Sequence, residues 1–322
     1  FGIVRSAPKI LQGGAKDLAR SMTYTFASFE MQRGGASGGI NATPEERDEA
    51  LNNFVDEIHD DVSTGMLGLN AGKGILPSSF QGLYDVDTRS AMRFEFHGED
   101  TLETYLTALG PVLSADRIAA LEGKTVAIEG FGEHGPAMVD LVEERGGKLI
   151  SLSTLSGSIT DSSGLNANDL RERWNANGID FVKSSDGNGD PAWKVFQSGA
   201  DILFAGSKMG AVNHLTAEKL DIVALVPHQP IPFTARALAM LQRKGTDVVP
   251  DFIAVAAPIF AAWPGESTDS SQIIQLAEDQ IGAVIDEVVK HEDGLFLGAC
   301  YRAESFLGTW QESPLFGRPL AS

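Results

Sequence analysis

The chain has 322 residues, 43% hydrophobic and 21% charged, enough for two domains with cores of their own. Its 44 acidic against 25 basic residues leave a formal charge of −19, which repels nucleic-acid phosphates and anionic lipid and argues against both as partners. A single cysteine, Cys300, excludes an intramolecular disulfide and a thiolate metal site within one chain, so no metal is expected and a reducing, cytoplasmic compartment is the simplest home.

No apolar run reaches the ~18 residues of a membrane span, and no signal peptide opens the chain. Residue 1 is Phe rather than Met, so a preceding piece is expected to be absent from the sequence. Asn41-Ala42-Thr43 matches a glycosylation acceptor but carries no meaning without secretion.

From Lys16 to Met31, Leu18, Met22, Phe26 and Phe29 recur at helical spacing and predict an amphipathic helix. Gly34-Gly35-Ala36-Ser37-Gly38-Gly39 follows it and reads as a loop held at the helix end, with one polar side chain among four glycines. A second helix is expected from Thr43, with Thr43 as N-cap, Pro44 at the first position and Glu46 as the capping-box acid. Ser63 to Gly98 reads as glycine-rich and irregular, and a loop of that length inside a domain is usually functional or poorly ordered.

Strands are then predicted at Thr125–Gly130, Lys148–Ser153, Asp201–Gly206, Asp221–Val226 and Thr246–Asp251, with helices at Pro136–Arg145 and Pro232–Arg243. This alternation argues an α/β fold with a parallel, doubly wound sheet. A last helix, Thr268–His291, has a broad apolar face and is expected to cross back to the first domain. Asp186-Gly187-Asn188-Gly189-Asp190 imitates the start of a calcium loop, but Pro191 and Gln197 stand where glycine and glutamate are needed, so it reads as a polar turn.

Gly130-Phe131-Gly132-Glu133-His134-Gly135 fits G-x-G-x-x-G between a strand and a helix, the context that gives the motif force. The first glycine permits the turn, the second lets a pyrophosphate approach the backbone, and the third lets helix pack on strand. The charge on Glu133 argues against its close contact with phosphate. The next strand ends Leu152-Ser153-Thr154, with no carboxylate to repel a 2′-phosphate, which allows NADPH, and no nearby arginine to demand it, so NAD and NADP both remain. Ser153, Thr154 and the turn Ala205-Gly206-Ser207 complete the expected cofactor contacts.

Three stretches resemble the Glu/Leu/Phe/Val dehydrogenase family: LARSMTYTFASFEMQRGGASGGI, LEGKTVAIEGFGEHG with LISLSTLSGSI, and GADILFAGS through DIVALVPHQPIPFTARALAMLQRKGTDVVPDFIAVAAPIFAAW. The resemblance implies an N-terminal substrate and oligomerisation domain, placed at residues 1–115, a Rossmann-like dinucleotide-binding domain at 116–265, and a C-terminal helix and tail at 266–322 packing back on the first. It also implies oxidative deamination of amino acids with NAD or NADP, a small-molecule substrate and a homo-oligomer.

By the same resemblance, Thr25 stands where the family has a lysine for the substrate carboxylate, and Ser37 where a second lysine activates water. The proton-handling aspartate falls at Lys73 by spacing or at Asp85 by local similarity. His228 replaces an asparagine near the nicotinamide ribose, Val255 a second asparagine, and Ala257-Pro258 paired glycines. An ammonium on a buried carboxylate contributes roughly 1.5–3 kcal/mol, and a threonine hydroxyl is neutral. A serine is no general base near neutral pH without a neighbour to activate it.

Two readings follow. Either the cleft binds NAD(P) and has been rebuilt for a less charged substrate, with Ser37, Lys73 or Asp85, Thr25 and His228 as candidate groups, or the chain is an inactive binding relative. The retained fingerprint and glycines favour the first. Bland alternatives stand beside each residue: Thr25 bonding the carbonyl a turn earlier, Ser37 as filler, Lys73 as a solvated charge and His228 capping backbone groups.

Overall fold

A computed structural model describes residues 1–183, 189–313 and 317–320, and the tip of the expected polar turn at 186–190 lies outside the described residues. The chain divides into two compact units: Phe1–Ala91 with Arg302–Ser322, and Met92–Tyr301.

The first unit is built from β1 (Gly2–Ala7), α1 (Gln12–Ser28), β2 (Ala36–Asn41), α2 (Arg47–Ser63), β3 (Leu69–Ala71) and α3 (Gln81–Tyr84). Its three strands are parallel in the order β2-β1-β3, with Ser37 beside Ile3 and Ile3 beside Asn70. Val4, Ile40, Leu51, Val62, Leu69, Phe80 and Leu83 form its core. Phe54 stacks on Phe80 with ring centroids 6.1 Å apart.

Three expectations change here. From Ala36 onward the glycine stretch is a strand and not a loop, with only Gly34 and Gly35 left as a link, because Gly2–Ala7 supplies a central partner. The turn Thr43–Glu46 precedes α2, which starts at Arg47. Its capping acid still forms, since Glu46 Oε2 accepts from Thr43 N at 3.3 Å and from Thr43 Oγ1 at 3.1 Å. The stretch from Ser63 to Gly98 is irregular only in part, since β3, α3 and short helical turns interrupt it.

Helix α1 stops in a Schellman turn: Met31 N donates to Phe26 O at 2.9 Å and Glu30 N to Ala27 O at 3.2 Å, with Glu30 at φ 57°. Residues after Tyr301 close this unit around α1. Tyr24 Oη donates to Glu304 Oε1 at 3.0 Å, and Arg302 Nε donates to Ser28 O at 3.0 Å.

The second unit contains β4 (Phe96–His97), β5 (Asp100–Thr101), α4 (Leu102–Ala119), β6 (Thr125–Glu129), α5 (Gly135–Glu144), β7 (Lys148–Thr154), β8 (Gly157–Thr160) and α6 (Ala167–Asn177). There follow β9 (Ile202–Ala205), α7 (His214–Lys219), β10 (Ala224–Pro227), α8 (Ala235–Arg243), β11 (Asp247–Val248), α9 (Asp251–Ala254), α10 (Pro258–Ala262) and α11 (Ser270–Val288). The last helix, α12 (Leu295–Leu307), begins in this unit and ends in the first.

The main sheet runs β11-β10-β9-β6-β7-β8, parallel except that β8 pairs antiparallel with β7. Val126, Ile128, Leu152, Ile202, Phe204, Leu225 and Val226 are buried, as central parallel strands covered on both faces require. Strand order reverses between β6 and β9, which sets a ligand crevice at their carboxyl ends.

The expected boundary at residue 115 falls inside α4, in the second unit. Helix α11 also stays in this unit instead of crossing back: it packs on α4, and Arg117 Nη1 donates to Asp286 Oδ2 at 2.9 Å. The tail beyond Tyr301, not α11, belongs to the first unit. No described helix is long and apolar enough to cross a membrane.

Candidate functional site

The crevice at the carboxyl ends of β6 and β9 gathers most of the predicted cofactor residues. Gly130 takes φ +93°, and a Cβ there would lie 2.4 Å from Ser207 N, so only glycine lets the two loops meet. Gly130 N and Phe131 N donate to Ser153 O at 3.1 and 2.7 Å. Gly135 faces the Phe131 ring, where a Cβ would come within 2.8 Å. Gly132 differs, since a Cβ on it would meet nothing closer than Gly130 O at 3.9 Å.

That open backbone at the N-terminus of the ten-residue α5 fits a pyrophosphate, which helix N–H groups and the helix dipole attract. The residues present therefore fit the phosphate part of a dinucleotide. Glu133 is exposed, while Phe131 is buried against Trp174 and Phe181, with centroids 5.7 and 5.4 Å away.

A buried hydrogen-bonded chain occupies the β9 and β10 side of the crevice. The Glu129 carboxylate, two strands away from His228, accepts from Gly206 N at 3.1 Å and Ser207 N at 3.0 Å. His228 N donates to Ala205 O at 3.0 Å, and its ring lies against Gly206, where a Cβ would be 2.4 Å from Cε1.

His228 Nε2 contacts Glu129 O at 2.8 Å, and a carbonyl only accepts, so Nε2 carries the proton. His228 Nδ1 then accepts from His134 Nε2 at 2.9 Å. Burial pulls the His134 pKa down to about 3, aided by His228, and burial lowers that of His228 as well, so both rings are neutral.

Just beyond His228, Ile231 adopts φ +54°, a conformation that costs a β-branched residue on the order of 1–3 kcal/mol. Asp251, fully buried, holds it by accepting from Ile231 N at 3.0 Å through Oδ2. Gly210 N also donates to Ile231 O at 2.9 Å. The Val255 and Ala257-Pro258 segment packs tightly beneath: a Cβ on Gly110 of α4 would lie 2.4 Å from Ala254 O and 3.3 Å from Ala257 Cβ.

At the end of β7, Thr154 Oγ1 donates to Ile179 O at 2.7 Å and accepts from Ser156 N at 3.0 Å. Ser156 Oγ donates to Asp180 Oδ1 at 2.5 Å. Neither Glu129 nor Asp180 was expected as a site residue. Glu129 sits one place before the fingerprint, where its charge is a usable signal, whereas Asp180 reaches the strand end only through the tertiary fold.

The first unit holds the other candidates. Thr25 is 2% exposed on α1, and its Oγ1 donates to Ser21 O at 3.2 Å, one turn earlier. Ser37 is the second residue of β2, and its Oγ is buried with no hydrogen-bond partner. Lys73 lies two residues past β3, exposed, with its carbonyl accepting from Ser6 N at 2.9 Å. Asp85 closes α3, exposed, and accepts from Gln81 Nε2 at 2.7 Å. Ser37 and Lys73 are thus held against β1 from opposite sides, at Ile3 and Ser6, while Asp85 stands apart on α3. Among the described residues, no group of three or more His, Cys, Asp or Glu could hold a metal ion.

The glycines around Ser37 have a packing cause. A Cβ on Gly35 would lie 2.0 Å from Ala19 O and 2.5 Å from Thr23 N of α1, one on Gly39 2.5 Å from Ile10 Cγ2, and one on Gly38 3.2 Å from Val4 Cγ2. Thr23 Oγ1 also accepts from Gly35 N at 2.9 Å, which fixes the close approach.

Comparison with known proteins agrees with this architecture. The NADP-specific glutamate dehydrogenase of Saccharolobus shibatae is 24% identical over 315 residues, covering 92% of this chain and 74% of the relative. Glutamate dehydrogenase A2 of Halobacterium salinarum is 24% identical over 323 residues, covering 91% and 76%.

Among solved structures, the Leu-bound hetero-hexameric glutamate dehydrogenase of Thermus thermophilus superposes with a TM-score of 0.78 at 20% identity, covering 98% of this chain and 82% of that one. The L-tryptophan dehydrogenase of Nostoc punctiforme gives 0.62 at 18% identity, covering 97% and 88%. The model of the Glutamate/Leucine/Phenylalanine/Valine dehydrogenase family matches residues 103–285, more than half of the chain. With that match spanning the fingerprint and the strands around it, the chain belongs to the Glu/Leu/Phe/Val dehydrogenase family and is an amino acid dehydrogenase-like oxidoreductase.

Proposed function

We propose that the chain is an NAD(P)-dependent oxidoreductase, working as a homo-oligomer, whose substrate carries less charge than a free amino acid. One observation carries the reading: the two positions matched to the family's lysines hold a buried threonine, bonded to its own helix, and a serine with a buried, unpartnered hydroxyl. Neither supplies the positive charge that a carboxylate needs when it leaves water, a step that costs several kcal/mol uncompensated. A neutral hydrogen-bonding group on the substrate suits the Ser37 hydroxyl better.

When bound, the dinucleotide supplies the hydride donor or acceptor. Glu129 and His134 hold the loops that flank it. His228 acts as a positioning residue, because both of its ring nitrogens are engaged, one with Glu129 O and one with His134. Lys73, beyond the carboxyl end of a parallel strand, suits proton transfer better than Asp85, whose carboxylate is engaged by Gln81 on the α3 surface.

The test is a turnover assay of the purified chain with either cofactor, using leucine, phenylalanine and glutamate beside the corresponding amides and neutral carbonyl compounds. Preferential turnover of the neutral set is expected. Robust deamination of the three free amino acids overturns the reading.

A further inference from the structure

The end of β7 carries no acidic side chain, and its hairpin turns at once through Leu155 and Ser156 into β8. A carboxylate arrives there from another segment. Asp180 belongs to the helical turn Gly178–Val182 that follows α6, and Ser156 Oγ donates to its Oδ1 at 2.5 Å. The residue before it accepts from Thr154 Oγ1 at 2.7 Å, so two hydrogen bonds lace this turn to the strand end.

The turn is also fixed from behind. Phe181 is 3% exposed and packs on Phe131 of the fingerprint and on Trp174, with centroids 5.4 and 6.1 Å away. Arg173 Nη2 donates to Phe181 O at 2.8 Å, and its guanidinium lies 5.5 Å over the Phe181 ring centroid.

The Asp180 side chain keeps 56% exposure, within reach of a ligand. Hydrogen bonds from Lys183 and then Ser156 hold its carboxyl below the usual range, so it is ionised near neutral pH.

In a fold of this kind the end of the second strand meets the 2′ position of the adenosine ribose, where an acid accepts from the hydroxyl and repels a phosphate. We propose that Asp180 takes the place of the missing strand-end acid and makes the chain prefer NAD(H) over NADP(H). This rests on the proposed reading that a dinucleotide binds at the fingerprint. A 2′-phosphate brings nearly two negative charges beside the carboxylate, which lowers affinity about tenfold in solvent-exposed surroundings. Lys183 Nζ lies 2.7 Å from Asp180 Oδ1 and is engaged by it, so removing the carboxylate both ends the repulsion and releases a cation for the phosphate.

The experiment titrates the full chain with NADH and with NADPH, reading quenching of tryptophan fluorescence and energy transfer to the nicotinamide. The unmodified chain is expected to bind NADH at least about tenfold more tightly, and Asp180→Ser to bring the two within about threefold, mainly by tightening NADPH. Asp180→Asn keeps the shape and the bond to Ser156 without the charge, and should shift the ratio the same way. Equal or tighter NADPH binding by the unmodified chain, or a ratio unmoved in both variants, overturns the assignment while leaving the oxidoreductase reading intact. No saturable binding of either cofactor up to millimolar concentration overturns that reading, and the assignment with it.

Discussion

Two glycine clusters, one in each unit, look alike in sequence and differ in what surrounds them. Around Ser37, the Cβ positions of Gly35, Gly38 and Gly39 are taken by the chain's own helix, strand and Ile10. In the fingerprint, Gly130 and Gly135 are likewise filled by Ser207 and Phe131, but Gly132 opens onto free space. Glycine density therefore marks close backbone approach; an unfilled position points to a ligand only where, as at Gly132, it stands before a helix N-terminus, which the equally open Gly34 does not. The first cluster is no evidence for retained chemistry, because α1 would demand those glycines in an inactive relative too.

Substitution should separate the two clusters. Gly35→Ala puts a methyl 2.0 Å from a backbone carbonyl and 2.5 Å from a backbone nitrogen, and is expected to cost about 3 kcal/mol or more in chemical denaturation. Gly34→Ala, one residue earlier with nothing within 4 Å, is the control and should change little.

The histidine chain predicts the next largest effect. His134 titrates near 3 when folded against 6.5 when unfolded, so the unfolded chain binds the extra proton in between. Its contribution is complete above about pH 6.5 and is lost as pH falls towards 3, amounting to about 2 kcal/mol by pH 5. His134→Gln should flatten that part of the stability curve, and parallel curves for the two proteins would refute the buried neutral pair.

The smallest effect on stability is expected at Gly132. An alanine there should leave unfolding within about 0.5 kcal/mol and yet weaken NADH binding at least about tenfold. A large loss of stability with unchanged binding would invert the comparison.

How much of this was legible in the sequence follows from how local each signal is. The β6, α5 and β7 unit, the later strands and α11 announce themselves by apolar periodicity and by the fingerprint, within windows of some twenty residues. Strand β1 is six residues of mixed character, and missing it turned its neighbour Ala36–Asn41 into an apparent loop. The edge strand β8 and helix α6 were missed for related reasons: one is four residues long, the other strongly polar.

At the site, the fingerprint glycines were readable, but the His134 to His228 bond spans 94 residues and the Ser156 to Asp180 bond 24. No periodicity reports such pairs. Thr25 was readable in its bland form, bonded to the carbonyl one turn back.

The first unit is assembled from both halves of the chain's length: Tyr24 bonds Glu304, and Ser28 bonds Arg302, across 280 and 274 residues. During synthesis from the N-terminus, α1 must wait for α12 while the whole second unit, contiguous from Met92 to Tyr301, can close first. Contacts of such long separation form late and slowly. The first unit can gather its Val4 to Leu83 core before the second unit exists, yet it is the last to be completed, because the strap that closes it lies at the far end of the chain.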